Sequence, residues 1–440
     1  MESIVISSKD LLVELCAISS ASGELDGLRR VAARLGDELL ARGFAVEVVE
    51  EADGKGASQP VLVARGSQAR DRYRLLVGHM DTVLPAIPPR IEGDRLIATG
   101  GLDMKAGLAM FLGALDLLAA RGQQLPQDLL LVVVPDEEVG GQVSENAVRR
   151  WGSGARAVLV LEPGERHGES ETLVAGRRGM SEWRLEVAGK ASHSGLAYWD
   201  GRSATAAAAD WAAQAQALSE RGAGVTVNVA RLVGGDVDFV SNLAAHHDLL
   251  GSPRRRNVVS DRAVAEGEVR FLSNEDRERV LATLTSLAAK LAAAHGVTMR
   301  FEQGFSVPPV DPEGPGSALV EEAVALARAR GWDLVVERDR GGISFPNYLE
   351  DPGRVPLVDG LGPVGEGMHT REEYVSLRSF GRRIVLLADL LEAVSYTHLR
   401  AHEHVLDIVC RLLLEKKKNL KIQTDQTTYT PFTTRNAYSH

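Results

Sequence analysis

Cysteine is nearly missing: Cys16 and Cys410 are the two in 440 residues, and no metal-type spacing joins them. That excludes a disulfide framework and a thiolate zinc site. Positive charge is short as well. The formal balance of −10 argues against a general nucleic-acid surface and against an anionic membrane as partner. No apolar run approaches the ~18 residues of a membrane span, and Met1-Glu2-Ser3-Ile4-Val5 lacks the charged start and apolar core of a secretory leader. A soluble, cytoplasmic protein is expected. What remains is an ordinary globular composition, long enough for two or more domains that each bury a core.

The most informative stretch runs from Leu129 to Gly141. Leu129-Leu130-Leu131-Val132-Val133-Val134 reads as a strand buried on both faces, as in a sheet with helices on either side. It stops at Pro135 and delivers Asp136, Glu137 and Glu138 just past its carboxyl end, where ligands bind in open α/β sheets. Three like charges beside a buried strand repel and lose hydration, so cations or protons must offset the cost.

Other segments repeat the pattern of an apolar run ending in an acid or imidazole. Tyr73 to Val77 leads to His79 and Asp81, whose alternation along an extended chain puts both side chains on one face. Thr99 to Gly107 is a Gly-rich loop carrying Asp103 into an apolar helix that runs to about Ala120, where Asp103 could also serve as an N-cap. Ala157 to Leu161 ends in Glu162, and Gly365 to Thr370 is a Gly-rich loop with His369. Earlier, residues 8 to 42 read as two helices, with Ser22 as N-cap of the second. Between 179 and 302 the order of elements is β-α-β-β-α-β, a ferredoxin-like unit inserted into an α/β domain. It contains the polar loop Gly189-Lys190-Ala191-Ser192-His193.

His79, Asp103, Glu138, Glu162 and His369 supply two imidazoles and three carboxylates without a thiolate. That set suits zinc, and also manganese or cobalt, in an open catalytic site rather than a closed structural one. Five ligands exceed the needs of one open zinc but suffice for two metals if one carboxylate bridges. Such a pair activates a shared water, and Glu137 beside it would act as general base to that water and then as proton donor to the leaving amine.

The chain resembles the co-catalytic zinc peptidase family that includes glutamate carboxypeptidase, acetylornithine deacetylase and succinyl-diaminopimelate desuccinylase, most nearly the glutamate carboxypeptidase branch. The resemblance spans roughly residues 8 to 394 and rests on Gly78-His79-Met80-Asp81, Gly100-Gly101-Leu102-Asp103-Met104-Lys105, Pro135-Asp136-Glu137-Glu138, Leu161-Glu162-Pro163-Gly164, Gly189-Lys190-Ala191-Ser192-His193 and Met368-His369, in that order. It implies two Zn²⁺ ions, with Co²⁺ or Mn²⁺ as substitutes. Asp103 would bridge them, His79 and Glu162 would complete one site, and Glu138 and His369 the other. It further implies Glu137 as catalytic base and Asp81 as its supporting partner, and it makes the protein a homodimer in which His193 reaches the partner subunit's active site. Asn257 and Arg270 would meet the substrate. For Arg270 a bidentate contact to a free carboxylate competes with pairing to its neighbour Glu268 or to Asp261. Arg177 and Arg178, at the domain junction, are either alternatives for the same contact or solvated hinge charges.

The implied fold is a zinc-peptidase catalytic domain with a mixed, largely parallel sheet flanked by helices, in two parts (1–178 and 303–394), interrupted by a lid and dimerisation domain (179–302). The implied activity is hydrolysis of the amide bond of N-acyl amino acids or peptides with a free C-terminal carboxylate. The alternatives are an N-deacylase or dipeptidase of the same family, and a non-catalytic ligand-binding relative. Two departures stand out. Residues 237–256, with His246, His247 and Arg254-Arg255-Arg256, form an insertion, and Gly341-Gly342-Ile343-Ser344-Phe345-Pro346-Asn347 carries Phe345 where relatives often carry Asp. That exchange bears on substrate preference.

Beyond Val394 the composition breaks. Five lysines precede that point, whereas Lys416, Lys417, Lys418 and Lys421 crowd together after it. Ser395 to Glu403 reads as translated adapter sequence, and 395–440 is expected to be a non-native tail. A chain ending at Val394 is therefore expected to keep the thermal midpoint and the amidase activity of the full chain; loss of either in melting or turnover assays would make the tail part of the native protein.

Overall fold

The computed structural model describes residues 1–54, 56–242 and 257–393. Leu129–Val134 is buried at every position, as is the neighbouring strand Tyr73–His79. Both belong to a six-stranded sheet in the order Ala45–Ala52, Ser58–Arg65, Leu129–Val134, Tyr73–His79, Ala155–Val160, Leu357–Val358. The first two junctions are antiparallel and the last three parallel. The expected mixed, largely parallel sheet with flanking helices is present.

Burial on both faces requires helices on both faces. Ala106–Ala120 is apolar almost all round and correspondingly buried. It packs closely because glycines line its contacts. A Cβ on Gly107 would sit 2.1 Å from the Leu161 carbonyl oxygen, and one on Gly113 2.4 Å from Ser8 Oγ of the helix Glu2–Ala17. The helix Leu25–Ala41 starts after Glu24 with no side-chain cap, so Ser22 is not its N-cap. Its hydroxyl donates instead to Asp81 Oδ2 at 2.8 Å.

The second sheet holds Gly179–Ala188, Thr226–Gly235, Arg262–Phe271 and Thr298–Val307, all antiparallel, with the first and third strands central. Helices Ala204–Gln216 and Asn274–His295 pack on one face around Trp183, Trp211 and Phe301. The two indoles meet edge to face at 5.1 Å. Gly267 opposite Trp183 leaves room for that ring, since a Cβ there would lie 2.5 Å from its Cζ2. The element order is the expected β-α-β-β-α-β. By internal packing, Met1–Ala388 forms one compact unit that includes both sheets, and the second unit begins at Asp389, within the helix Leu377–Ala393. Of the insertion, Val237–Asn242 is helical; His246, His247 and Arg254-Arg255-Arg256 lie outside the described residues, as does the tail from Val394.

Gly107 couples the packing of the long buried helix to the strand end that carries Glu162. Gly107→Ala should lower stability by ~1–3 kcal/mol through overpacking. Gly222→Ala, whose added Cβ meets nothing within 4 Å, should stay within about 0.5 kcal/mol of the parent. Urea midpoints of the two variants check the difference.

Candidate metal centre

Parallel pairing brings the chemical residues together. Tyr73–His79 lies between Leu129–Val134 and Ala155–Val160, with His79 opposite Val134 and Val77 opposite Val160. Each strand therefore releases its polar residues at the same edge: His79 at the end of the middle strand, Glu137 and Glu138 just beyond Val134, and Glu162 just beyond Val160. Asp103 enters from the Gly-rich turn ahead of Ala106–Ala120. That turn is not helical at Asp103 (φ −112°, ψ 92°), and the Asp103 side chain caps no helix, so its carboxylate is free to face the other groups.

Asp103 is the hub. Its Oδ1 lies 3.1 Å from His79 Nε2 and its Oδ2 3.4 Å from His369 Nε2. His79 Nε2 is also 3.9 Å from Glu162 Oε1, and His369 Nε2 is 3.1 Å from Glu138 Oε2. The five residues expected to act together thus converge. Two overlapping groups have ligand atoms all within 4.8 Å of one another: His79 with Asp103 and Glu138, and His79 with Glu137 and Glu162. Glu137 therefore reaches the same space as the five.

The electrostatics follow from crowding. Burial disfavours charge on His79, but Asp103, Asp81 and Glu162 overcome it and hold the imidazole well above its ordinary pKa. Burial likewise works against ionised Asp103, yet His369 and His79 pull its carboxyl below the usual range. Burial, reinforced by Asp103, pushes Glu137 up to about 7, Glu138 up to about 8 and Glu162 well above its ordinary value, with the charge of His79 acting in the opposite sense. His369, hydrogen-bonded to Asp103 and beside Glu138, rises to about 9.

A supporting ring holds these groups. Asp81, fully buried, accepts N–H bonds from Glu137 and Glu138, one on each oxygen at 3.1 Å, and lies against His79 Nδ1. Ser344 Oγ donates to Glu162 Oε1 at 3.2 Å. Asp136, third of the acidic run, turns away and ties down the start of the helix Gln142–Gly152 by accepting from Val143 N, Ser144 N and Ser144 Oγ. Sequence reasoning missed Glu373. Its carboxylate accepts from the backbone N–H of Gly100, Leu102 and Asp103 at 2.8–3.0 Å. Nothing in the spacing separates it from Glu372 beside it; its one signal is that it follows His369 closely in a Gly-rich loop.

The three site residues expected on the second sheet stand apart from this cluster. His193 and Asn257 are neighbours, with Asn257 Nδ2 3.5 Å from His193 Nε2, and both are exposed. Gly195 and Leu196 donate backbone N–H bonds to His193 Nδ1. Arg270 makes the bidentate pair with Glu268 at 3.0 and 3.1 Å and donates a further bond to the Gly341 carbonyl. Among the described residues no hydrogen bond or ion pair links any of the three to Asp103, His79 or His369. Arg177 is buried against Asp359 and Gly342, and Arg178 pairs with Asp339. Phe345 is wholly buried, its ring centroid 6.2 Å from that of His79.

Comparison with known proteins agrees with this geometry. The profile of Peptidase family M20/M25/M40 matches residues 75–393. Carboxypeptidase G2 of Pseudomonas sp. (strain RS-16) is 28% identical over 390 residues, covering 86% of this chain and 87% of that one. Succinyl-diaminopimelate desuccinylase of Dinoroseobacter shibae is 28% identical over 357 residues, covering 77% and 87%. Among solved structures, the aminopeptidase PepT of Bacillus cereus superposes with a TM-score of 0.70 at 22% identity, over 88% of this chain and 97% of that one. The Bacillus subtilis YXEP protein, described as a dinuclear metal-binding peptidase of the M20 family, gives 0.62 at 16% identity, over 90% and 99%. The profile match spans well over half of the chain: it belongs to peptidase family M20/M25/M40 and is a metal-dependent amidohydrolase.

Proposed function

We propose that this protein hydrolyses the amide bond of N-acyl amino acids or peptides that end in a free carboxylate, using two divalent cations, zinc in the first instance. The observation that carries the reading is Asp103, whose two oxygens face two different imidazoles. The donor set fits such a pair. It contains only nitrogen and oxygen ligands, as catalytic zinc, cobalt and manganese sites prefer. It also concentrates Asp103, Glu137, Glu138 and Glu162 in a buried space where burial and mutual repulsion lift three of the four pKa values. A buried acidic cluster of this kind needs positive charge beside it. Arg177, whose charge bears on Glu137 and Glu162, is itself paired with Asp359.

His79, Asp103 and Glu162 would hold one cation, and Asp103, Glu138 and His369 the other. When bound, the pair acidifies water and polarises a carbonyl oxygen. Glu137 takes the proton of the attacking water and returns it to the leaving nitrogen. Burial lifts the Glu137 carboxyl in the metal-free cluster, and cations beside it would bring it back towards the ionised form that accepts a proton. Asp81 keeps Glu137 and Glu138 in place through their backbone N–H groups. Arg270, already oriented by Glu268, and Asn257 would receive the substrate carboxylate. His193, exposed beside Asn257, would reach the carbonyl of a substrate bound in the partner of a homodimer. One relative is named a carboxypeptidase and another a succinyl-diaminopimelate desuccinylase, which supports the substrate class and keeps small N-acyl amino acids beside C-terminal peptides in the assay panel.

Glu137→Gln should lower kcat/KM by ~10²–10⁴ while elemental analysis finds the metal content unchanged; an active variant would remove Glu137 from the role of base. The metal-free protein should also show a directed pH dependence. Glu137, Glu138 and His369 all have raised folded-state values, about 7, 8 and 9. The stability they contribute is complete below their unfolded values and is lost as pH rises through the folded ones. Asp103 has the opposite sign, and its contribution is lost only in acid. The melting temperature of chelator-treated protein should therefore fall from about pH 5 towards pH 9, and added zinc should flatten that fall. A metal-free melting temperature that rises over this range would contradict the described cluster.

A further inference from the structure

We propose that Glu373 is the positioning residue that joins the two halves of the metal centre, setting Asp103 and His369 at the separation that a second cation requires. The inference rests on the two-cation reading above and adds a residue that touches neither cation in that reading.

The argument starts from how differently the candidate ligands are supported. His79 ends a buried central strand, and its Nδ1 lies 3.0 Å from the Asp81 carbonyl oxygen. Glu162 follows another buried strand and accepts from Ser344. Sheet hydrogen bonds hold that half of the centre whatever happens elsewhere. Asp103 and His369 have a slighter frame: Asp103 follows the short strand Arg95–Ile97, which pairs with Tyr374–Ser376, and His369 stands in the loop between Gly365–Glu366 and that second strand. Asp103 sits in a turn outside regular helix, entered through Gly100 at φ +68°. His369 stands on an exposed loop, itself at φ +64°, a strained conformation for a residue with a side chain.

Glu373 grips both, the turn through its side chain and the loop through its main chain. Its Oε2 accepts from Gly100 N, and its Oε1 from Leu102 N and Asp103 N, so three amides of the turn converge on one carboxylate. Its main chain closes the His369 loop by donating to the Thr370 carbonyl, and accepts from Ala98 N, just upstream of the turn. The side chain is 3% exposed, so water does not compete for these bonds. Two segments far apart in sequence are thereby locked at the distance where Asp103 Oδ2 and His369 Nε2 lie 3.4 Å apart. Without the side-chain clamp the His79–Glu162 half keeps its frame, whereas the turn and the His369 loop are left to the short pairing of Arg95–Ile97 with Tyr374–Ser376 and the bond from Ala98 N to the Glu373 carbonyl. The site formed by Asp103, Glu138 and His369 should weaken selectively.

Glu373→Gln tests this with little change of shape: its amide group opposes the N–H groups at one end of the clamp. Calorimetric titration of the chelator-stripped full chain with Zn²⁺ should give two equivalents for the wild type. For E373Q the first equivalent should remain within about threefold and the second weaken by ~10–100-fold, the usual effect of removing support from a ligand. The metal-free melting temperature should be unchanged within a few degrees. Glu373→Asp, which keeps the charge but withdraws it by one methylene, should show the same selective loss. Glu372→Gln, at the exposed neighbouring carboxylate, should bind as wild type. Two normal equivalents in both Glu373 variants overturn the proposal alone. Equal weakening of both equivalents, or a metal-free form that no longer melts cooperatively, makes Glu373 a general structural support and also overturns it. A wild type that takes up fewer than two equivalents overturns the two-cation reading, and the proposal with it.

Discussion

Like charges gathered in a buried space are tolerated only when something of opposite charge lies between them, and that constraint shapes the catalytic half of this protein. Asp103, Glu137, Glu138 and Glu162 face one another at the end of central strands that are largely apolar. Two imidazoles enter the group, one on each side of Asp103, and both are driven towards their charged forms. Each surrounding feature supports that arrangement. Asp81 holds the Glu137–Glu138 backbone, Ser344 holds Glu162, and Asp136, also buried, is turned aside to tie down the start of a helix. The acidic run Asp136-Glu137-Glu138 thus divides its work, with one carboxylate building the scaffold and two facing the site.

How far this was legible in the sequence depends on the range of the interaction. Strands that end in polar residues announce themselves locally, because an uninterrupted run such as Leu129–Val134 has one comfortable location and its carboxyl end has one functional side. His79, Glu138 and Glu162 could be named for that reason, whereas Asp103 and His369 were marked by Gly-rich loops. Ser22 could not be placed by the same means: a serine ahead of a helix looks like a cap, and only the folded chain shows its hydroxyl on Asp81. Glu373 left little more than its closeness to His369, because its side chain binds three backbone amides, which any residue would provide. Arg270 was open between two partners, and the one its strand provides, Glu268, is the one it takes in this structure.

One loop links the second sheet to the centre through side-chain hydrogen bonds. Arg270 donates to the Gly341 carbonyl and Arg177 to that of Gly342. Asn347 reaches the carbonyls of Arg178 and Pro308, where the chain passes between the two sheets, and its side-chain oxygen accepts from Ser344 N. Ser344 in turn meets Glu162. A continuous set of hydrogen bonds therefore runs from the inserted sheet to a candidate metal ligand, although His193, Asn257 and Arg270 make no direct bond to the cluster among the described residues. A displacement of Arg270 towards a substrate carboxylate would act first on Gly341, and so on the loop that orients Glu162.

Phe345 lies in that same loop and shows why a difference in sequence need not act where it first points. An aspartate there in relatives invites the view that its replacement alters the substrate pocket directly. Here the ring is wholly buried and faces His79, so a substrate has no surface of Phe345 to touch. Its influence must pass through the imidazole it packs against. An apolar neighbour strengthens the burial that opposes charge on His79, and so makes that ring depend more heavily on Asp103, Asp81 and Glu162 to remain protonated or to hold a cation. The exchange at this position therefore bears on His79 before it bears on any residue exposed on the second sheet.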